Sequence, residues 1–174
     1  MRKILFSVAA LFAISTMSAQ DGGFSLGLHA GIPMGDIKDT SSANFGVDVA
    51  YMWPMGEGFN LGIASGYTNY SAKEYDIVTY SPELGFVTSK FKRDDAGFIP
   101  LAAAARLGLT ENFFIAADLG YAFYTGDGDA NGGFYYQPKV GYDFMPFEVF
   151  LAYKGISLDG GTFSSVNLGA AYKF

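Results

Sequence analysis

The chain has 174 residues, enough for one domain, and holds 23 Gly, 17 Phe, 12 Tyr and no Cys. The missing cysteines exclude disulfides, thiolate nucleophiles and cysteine metal sites, and a net charge of −6 argues against nucleic acid, whose phosphates need a basic face. Aromatic residues at 17% and charged residues at 16% depart from soluble proteins, where charge runs at about 25%; with the many glycines they point to all-β structure turning apolar surface to something other than water.

Residues 1–19 read as a signal peptide. Arg2 and Lys3 form a positive start, Ile4 to Ile14 is apolar, and Ser18-Ala19 supplies small residues before Gln20. The apolar run is too short to span a bilayer as a helix. Removing Arg2 and Lys3 leaves nine basic against seventeen acidic residues, a charge of −8. No other stretch approaches 18 apolar residues, so the remaining chain, 20–174, has no transmembrane helix. A chain of this kind that crosses lipid must close into a barrel, because only helices and barrels satisfy every backbone group there.

Eight segments with period-two alternation follow, at 24–33, 44–54, 59–70, 98–109, 113–124, 134–144, 147–158 and 163–174. Tilted strands need about 9–11 residues to cross a membrane, and bacterial barrels begin at eight strands. The connections alternate in length. Met55-Gly56-Glu57-Gly58, Thr110-Glu111-Asn112 and Met145-Pro146 are short; 34–43, 71–97, 125–133 and, modestly, 159–162 are longer. Short turns on the periplasmic side and longer outer loops are the outer-membrane pattern, which puts both termini in the periplasm. The expectation is an eight-stranded antiparallel up-and-down transmembrane β-barrel in the outer membrane of a Gram-negative bacterium.

Parity along each segment separates two faces. In 113–124, Phe113, Ile115, Ala117, Leu119, Tyr121 and Phe123 oppose Ala116, Asp118, Gly120 and Ala122. In 44–54, Phe45, Val47, Val49, Tyr51 and Trp53 oppose Gly46, Asp48 and Ala50. Across all eight, the apolar face holds no charged residue. A charge at the lipid midplane of a barrel costs about 2–4 kcal/mol, so lipid contact would purge it. The other face is rich in Gly and Ala and carries every strand charge. An eight-stranded interior is just wide enough to be filled by side chains; the bulky face would overfill it, and the small one fits. Aromatics gather at both strand ends, with Trp53, Phe59, Phe113, Phe144, Phe147 and Phe174 towards the turns and Tyr67, Tyr121, Phe123, Phe134, Tyr136 and Tyr153 towards the loops, as two interfacial girdles.

With this pattern in view, the chain resembles the small outer-membrane barrels of the OmpA/OmpX-like type over essentially all of 20–174. The resemblance rests on Phe98-Ile99-Pro100-Leu101, on Asn112-Phe113-Phe114 leading to Asp118-Leu119-Gly120-Tyr121, on Pro138-Lys139-Val140-Gly141-Tyr142, and on Leu168 to Phe174. It implies a barrel and leaves the activity open, since such barrels serve as adhesins, narrow channels, lipid-modifying enzymes and anchors. It also implies contact with outer-membrane lipid and lipopolysaccharide, and recognition by the barrel assembly machinery. Tyr172 and Phe174, on one face of an amphipathic strand with no residue beyond, resemble the signal that this machinery binds by strand addition.

The inward charges are Asp48, Asp118, Asp143 and Glu148 against Arg106, Lys139, Lys154 and Lys173. They sum to zero, as a self-paired plug requires; a selective pore favours one sign. His29, the only histidine, faces inward as a hydrogen-bonding member of this lumen network. As a general base it would need a nucleophile nearby, and Ser25 lies four residues along the same strand, about 13 Å away. Asp127, Asp129 and Asn131 match the first half of a calcium loop, but Pro138 stands where the bidentate Glu belongs, and Asp-Gly and Asn-Gly are also turn formers. No cofactor is expected. In the 71–97 loop, Lys73 to Tyr80 and Phe86 to Lys92 read as a hairpin extending the flanking strands, with room for a protein partner. The reading is a non-enzymatic barrel acting in envelope integrity or surface interaction through its outer loops. The alternatives are a narrow channel for small or hydrophobic solutes and a lipid A-modifying enzyme.

Overall fold

The computed structural model describes residues 23–81, 85–92, 95–126 and 132–174. Ten strands follow in chain order: β1 Gly23–Met34, β2 Ser41–Gly56, β3 Phe59–Ala72, β4 Glu74–Ser81, β5 Gly85–Lys92, β6 Ala96–Gly108, β7 Phe113–Tyr124, β8 Gly133–Phe144, β9 Phe147–Leu158 and β10 Gly161–Lys173. Eight of them close an antiparallel barrel in the order β1-β10-β9-β8-β7-β6-β3-β2, and β4 pairs with β5 in a separate two-stranded sheet. Each of the eight barrel strands lies where alternation places it. The expected signal peptide lies outside the described residues.

Side-chain parity sets the two surfaces. Leu28, Ile32, Leu101, Leu119, Leu151 and Leu168 are more than half exposed on the outside, while Asp118, Lys154 and Asn167 on the opposite parity are buried. Two prolines interrupt the ladders without opening the barrel. The β3–β6 pairing lapses between Ser65↔Leu101 and Thr68↔Phe98, opposite Pro100; the β8–β9 pairing lapses between Tyr136↔Gly155 and Lys139↔Ala152, beside Pro138. Proline has no N–H to give a ladder. The Ser65 hydroxyl donates to the Pro100 carbonyl at 2.8 Å, which binds the two strands at the first gap.

The connections define two ends. At the turn end, β2 and β3 meet through Glu57-Gly58, with Gly58 at φ +71°, a conformation that glycine enters without a Cβ penalty. At the loop end, β1 runs into a short 3-10 turn, Gly35–Ile37, before β2. The 159–162 connection is shorter than expected: β9 runs to Leu158 and β10 begins at Gly161, leaving a two-residue turn. The hairpin expected in 71–97 forms as β4 and β5, from Glu74↔Lys92 to Ser81↔Gly85. It does so as a sheet of its own rather than as a continuation of β3 and β6.

Candidate functional site: the filled lumen

The interior is stacked in layers along the barrel. At the loop end it is apolar. Tyr70 from β3, Phe98 from β6, Ala122 from β7, Tyr135 from β8 and Ile156 from β9 form one buried cluster, joined by Ile37 from the 3-10 turn. The Phe98 ring meets Phe163 at 5.1 Å and Tyr124 at 5.4 Å, and Tyr70 meets Phe163 at 5.4 Å, all edge to face, the geometry that ring quadrupoles favour. The segment that carries Ile37 is tied down on both sides. Thr40 Oγ1 donates to the Ile37 carbonyl at 3.2 Å, Lys73 Nζ donates to the Lys38 carbonyl at 2.7 Å, and the Thr162 N–H donates to Asp36 Oδ2 at 3.3 Å.

Below lies a polar layer. Asp48 Oδ2 sits 2.7 Å from His29 Nδ1. His29 Nε2 lies 2.9 Å from Lys154 Nζ and 3.1 Å from Thr68 Oγ1. With Nδ1 protonated, the imidazole donates to Asp48 and accepts from Lys154. Lys154 also lies 3.8 Å from Asp48 Oδ1. Asn44 Nδ2 donates to Thr68 Oγ1 at 2.8 Å, Asn167 Nδ2 donates to Ser165 Oγ at 2.9 Å, and Tyr70 Oη meets Ser165 Oγ at 3.1 Å. Deeper, Lys139 Nζ pairs with Asp118 Oδ2 at 2.6 Å, and Tyr135 Oη donates to Gln137 Oε1.

At the turn end two cations and two carboxylates share a ring. Arg106 donates to Glu148 Oε2 at 2.6 Å and to Asp143. Lys173 lies 2.7 Å from Asp143 Oδ1 and 3.3 Å from Glu148 Oε2. The Arg106 guanidinium stands 3.4 Å from the centre of the Phe114 ring, and Phe114 packs in a second buried cluster with Phe150, Ala152 and Ala171. Glycines make this possible. A Cβ on Gly141 would stand 2.3 Å from Phe114 Cζ, and one on Gly169 would stand 2.3 Å from Phe150 Cζ, so each ring lies in space that any other residue would occupy.

The nine residues His29, Asp48, Arg106, Asp118, Lys139, Asp143, Glu148, Lys154 and Lys173 therefore all point inward, and each meets another of the set. Burying charge is costly unless it is paired and hydrogen-bonded. Parity along 163–174 puts Phe163, Ser165 and Asn167 on the face of Lys173, while the neutral members Asn44, Thr68 and Gln137 and the inward rings Tyr70, Phe98, Phe114 and Phe150 were not singled out. Apart from Thr68 and Tyr70, whose strand β3 carries no charge, they share the parity of the charged residues on their own strands, and that is the signal by which they could have been found. Tyr172 and Phe174 meet at 4.8 Å between ring centres, and Phe174 meets Phe24 across the β1–β10 seam at 5.5 Å. Asp127, Asp129 and Asn131 lie outside the described residues.

Asp48, His29 and Thr68 have the order carboxylate, imidazole, hydroxyl that nucleophilic catalysis uses. Thr68 has no exposed surface, and Lys154 shares the imidazole nitrogen that would take its proton. A nucleophile needs space beside it for a reacting atom, and this hydroxyl has none. The arrangement orders the lumen.

No family model matches the sequence, and no curated protein matches it. Solved structures do. Ail, the attachment invasion locus protein of Yersinia pestis, is 14% identical and aligns over 89% of this chain and 100% of that one, with a TM-score of 0.56. Its complex with the heparin analogue sucrose octasulfate gives 15% identity, the same coverage and 0.54. A de novo designed transmembrane β-barrel gives 11% identity over 91% of this chain and 100% of that one, at 0.50. The chain shares the closed antiparallel barrel fold of these proteins. In this barrel the charged residues of the eight barrel strands line the inside, together with the buried rings of the two apolar clusters, and most of the large apolar residues face outward.

Proposed function

We propose that the protein is an integral outer-membrane barrel, filled rather than open, that serves the envelope non-enzymatically through its loop-end segments. The observation that carries this is the pairing of two surfaces. Apolar side chains cover the outside of the strands, and the inside holds a neutral set of charges whose members contact one another. Only a lipid exterior makes that polarity stable. The turn end then faces the periplasm and the loop end the exterior. Lipid and lipopolysaccharide surround the barrel, and the assembly machinery reads β10 through the face that bears Tyr172 and Phe174.

The loop-end segments 35–40, 73–95, 125–132 and 159–160 contain ten of the seventeen acidic residues against five basic ones. A polyanion, such as the heparin analogue in the Ail complex, is therefore not the ligand this end favours; a protein partner along the β4–β5 hairpin suits it better, through strand addition. The test is cell fractionation with gel mobility before and after boiling. A barrel is recovered with the outer membrane and changes mobility on heating. Recovery as a freely soluble protein overturns the reading.

A narrow channel is the second reading, and one observation favours it: a cavity of about 90 Å³ inside the turn end, lined in part by Arg106, Lys139, Glu148 and Lys173. Planar-bilayer recording separates the two readings, since a filled barrel gives no stable single-channel steps.

A further inference from the structure

We infer that the lumen is a half-channel, wet from the turn end as far as Asp48 and Asp118 and sealed by the apolar layer beneath Ile37. The ion pairs are then lining, and the aromatic layer is the barrier. This rests on the membrane-spanning reading, which heat-modifiability tests separately.

The turn-end cavity starts among Gly23, Met145 and Phe174 at the mouth and reaches Asp48 and Asp118. A second space of about 20 Å³ continues between Asp48, Asp118, Lys139 and Tyr135. About 10–15 Å³ with polar partners is enough to hold one water, so the first space takes several and the second takes one. Exposure falls sharply at this level. The Asp48 side chain is 22% exposed, while Lys154 and His29, on its far side, are at 0%. Above them Ser165 and Asn167 are fully buried, then Phe98 and Ile156.

The two halves oppose passage differently. Ions and water cross a charged, hydrated wall by exchanging partners, whereas an apolar constriction stops them by losing its water. The loop-end layer is of the second kind, and Ile37 is its stopper. The turn that carries Ile37 leaves β1 at Gly35, φ +61°. It is tied to the barrel by hydrogen bonds to Thr162 and Lys73.

The chain has no cysteine, so single cysteines report on each level against a small cationic methanethiosulfonate. Ala50→Cys and Ala116→Cys line the wet half; Ser165→Cys lies below the seal; Glu57→Cys in the turn is the exposed reference. In the heat-modifiable protein, the first two should react within about tenfold of the reference and Ser165→Cys at least a hundredfold more slowly. Adding Phe98→Ala with Phe163→Ala should bring Ser165→Cys into the range of Ala116→Cys. Adding Ile37→Gly, a change outside the strands that leaves the barrel intact, should speed Ser165→Cys at least tenfold. Adding Lys173→Gln should leave it slow. The half-channel is overturned in a properly folded barrel if Ser165→Cys reacts as fast as Ala116→Cys, if both are slow, or if Ile37→Gly changes nothing.

Discussion

Replacing Arg106 with leucine removes one of two cations from the turn-end ring. Arg106 holds Glu148 at 2.6 Å and also Asp143, and Lys173 remains on both carboxylates, at 2.7 and 3.3 Å. Neither acid is abandoned, so the loss stays below the cost of orphaning a buried charge, about 3–5 kcal/mol. The side chains of Arg106, Asp143 and Glu148 are 12%, 18% and 11% exposed, which leaves water some access. The guanidinium over Phe114 adds about 0.5–2 kcal/mol, and leucine returns part of the lost burial. The expected loss is about 2–4 kcal/mol. Trp53, the only tryptophan, sits half-exposed on the outer face at the turn end and reports unfolding by denaturant in lipid vesicles. Adding Glu148→Gln to Arg106→Leu should cost less than the two single losses together, with a coupling of at least about 1 kcal/mol. A single loss under 1 kcal/mol, or strict additivity in the pair, would refute the ring as a coupled unit.

Three further outcomes are expected. Gly141→Ala and Gly169→Ala should each cost about 1–3 kcal/mol by driving a methyl into Phe114 or Phe150, and Phe114→Leu should relieve the first but not the second in the same unfolding assay. Leu119→Arg, at the outward-facing middle of β7, should cost about 2–4 kcal/mol in a bilayer, whereas Glu57→Arg in the turn should cost almost nothing; equal costs would deny a lipid exterior. Phe174→Asp should lower the heat-modifiable fraction in cells while refolding into detergent survives, and normal insertion in cells would leave the residue a purely structural role.

The barrel was legible because every strand carries a strict two-residue period, and a one-residue slip would turn its whole apolar set inward. That period fixes Leu119 outside and Asp118 inside with no knowledge of neighbouring strands. The contents of the lumen were less legible. Size suggested that large residues lie outside, yet Phe98, Phe114 and Phe150 lie inside. Room for a ring depends on the residue beside it on the next strand, as Gly141 does for Phe114, and that pairing is not written within either segment. The 3-10 turn was hidden for the same reason. Ile37 alone in a polar loop has no periodicity, and its burial comes from the strands around it.

The seam between β1 and β10 joins Ser25 to Lys173 and continues to Met34↔Ser164, the two ends of the described chain. Most other ladders join strands adjacent in sequence and can form as soon as each pair exists. Loop closure adds only about 0.6 kcal/mol for each doubling of length, so the seam is affordable at equilibrium but last in time. Until it zips, the sheet is an open curl with bare N–H and C=O groups along both margins, each a template for a stranger's strand. Closure turns that hazard into a barrel with no margin of its own, leaving only the edges of the β4–β5 hairpin, so the interval before it is when an escort matters most and when a stalled chain is lost to aggregation.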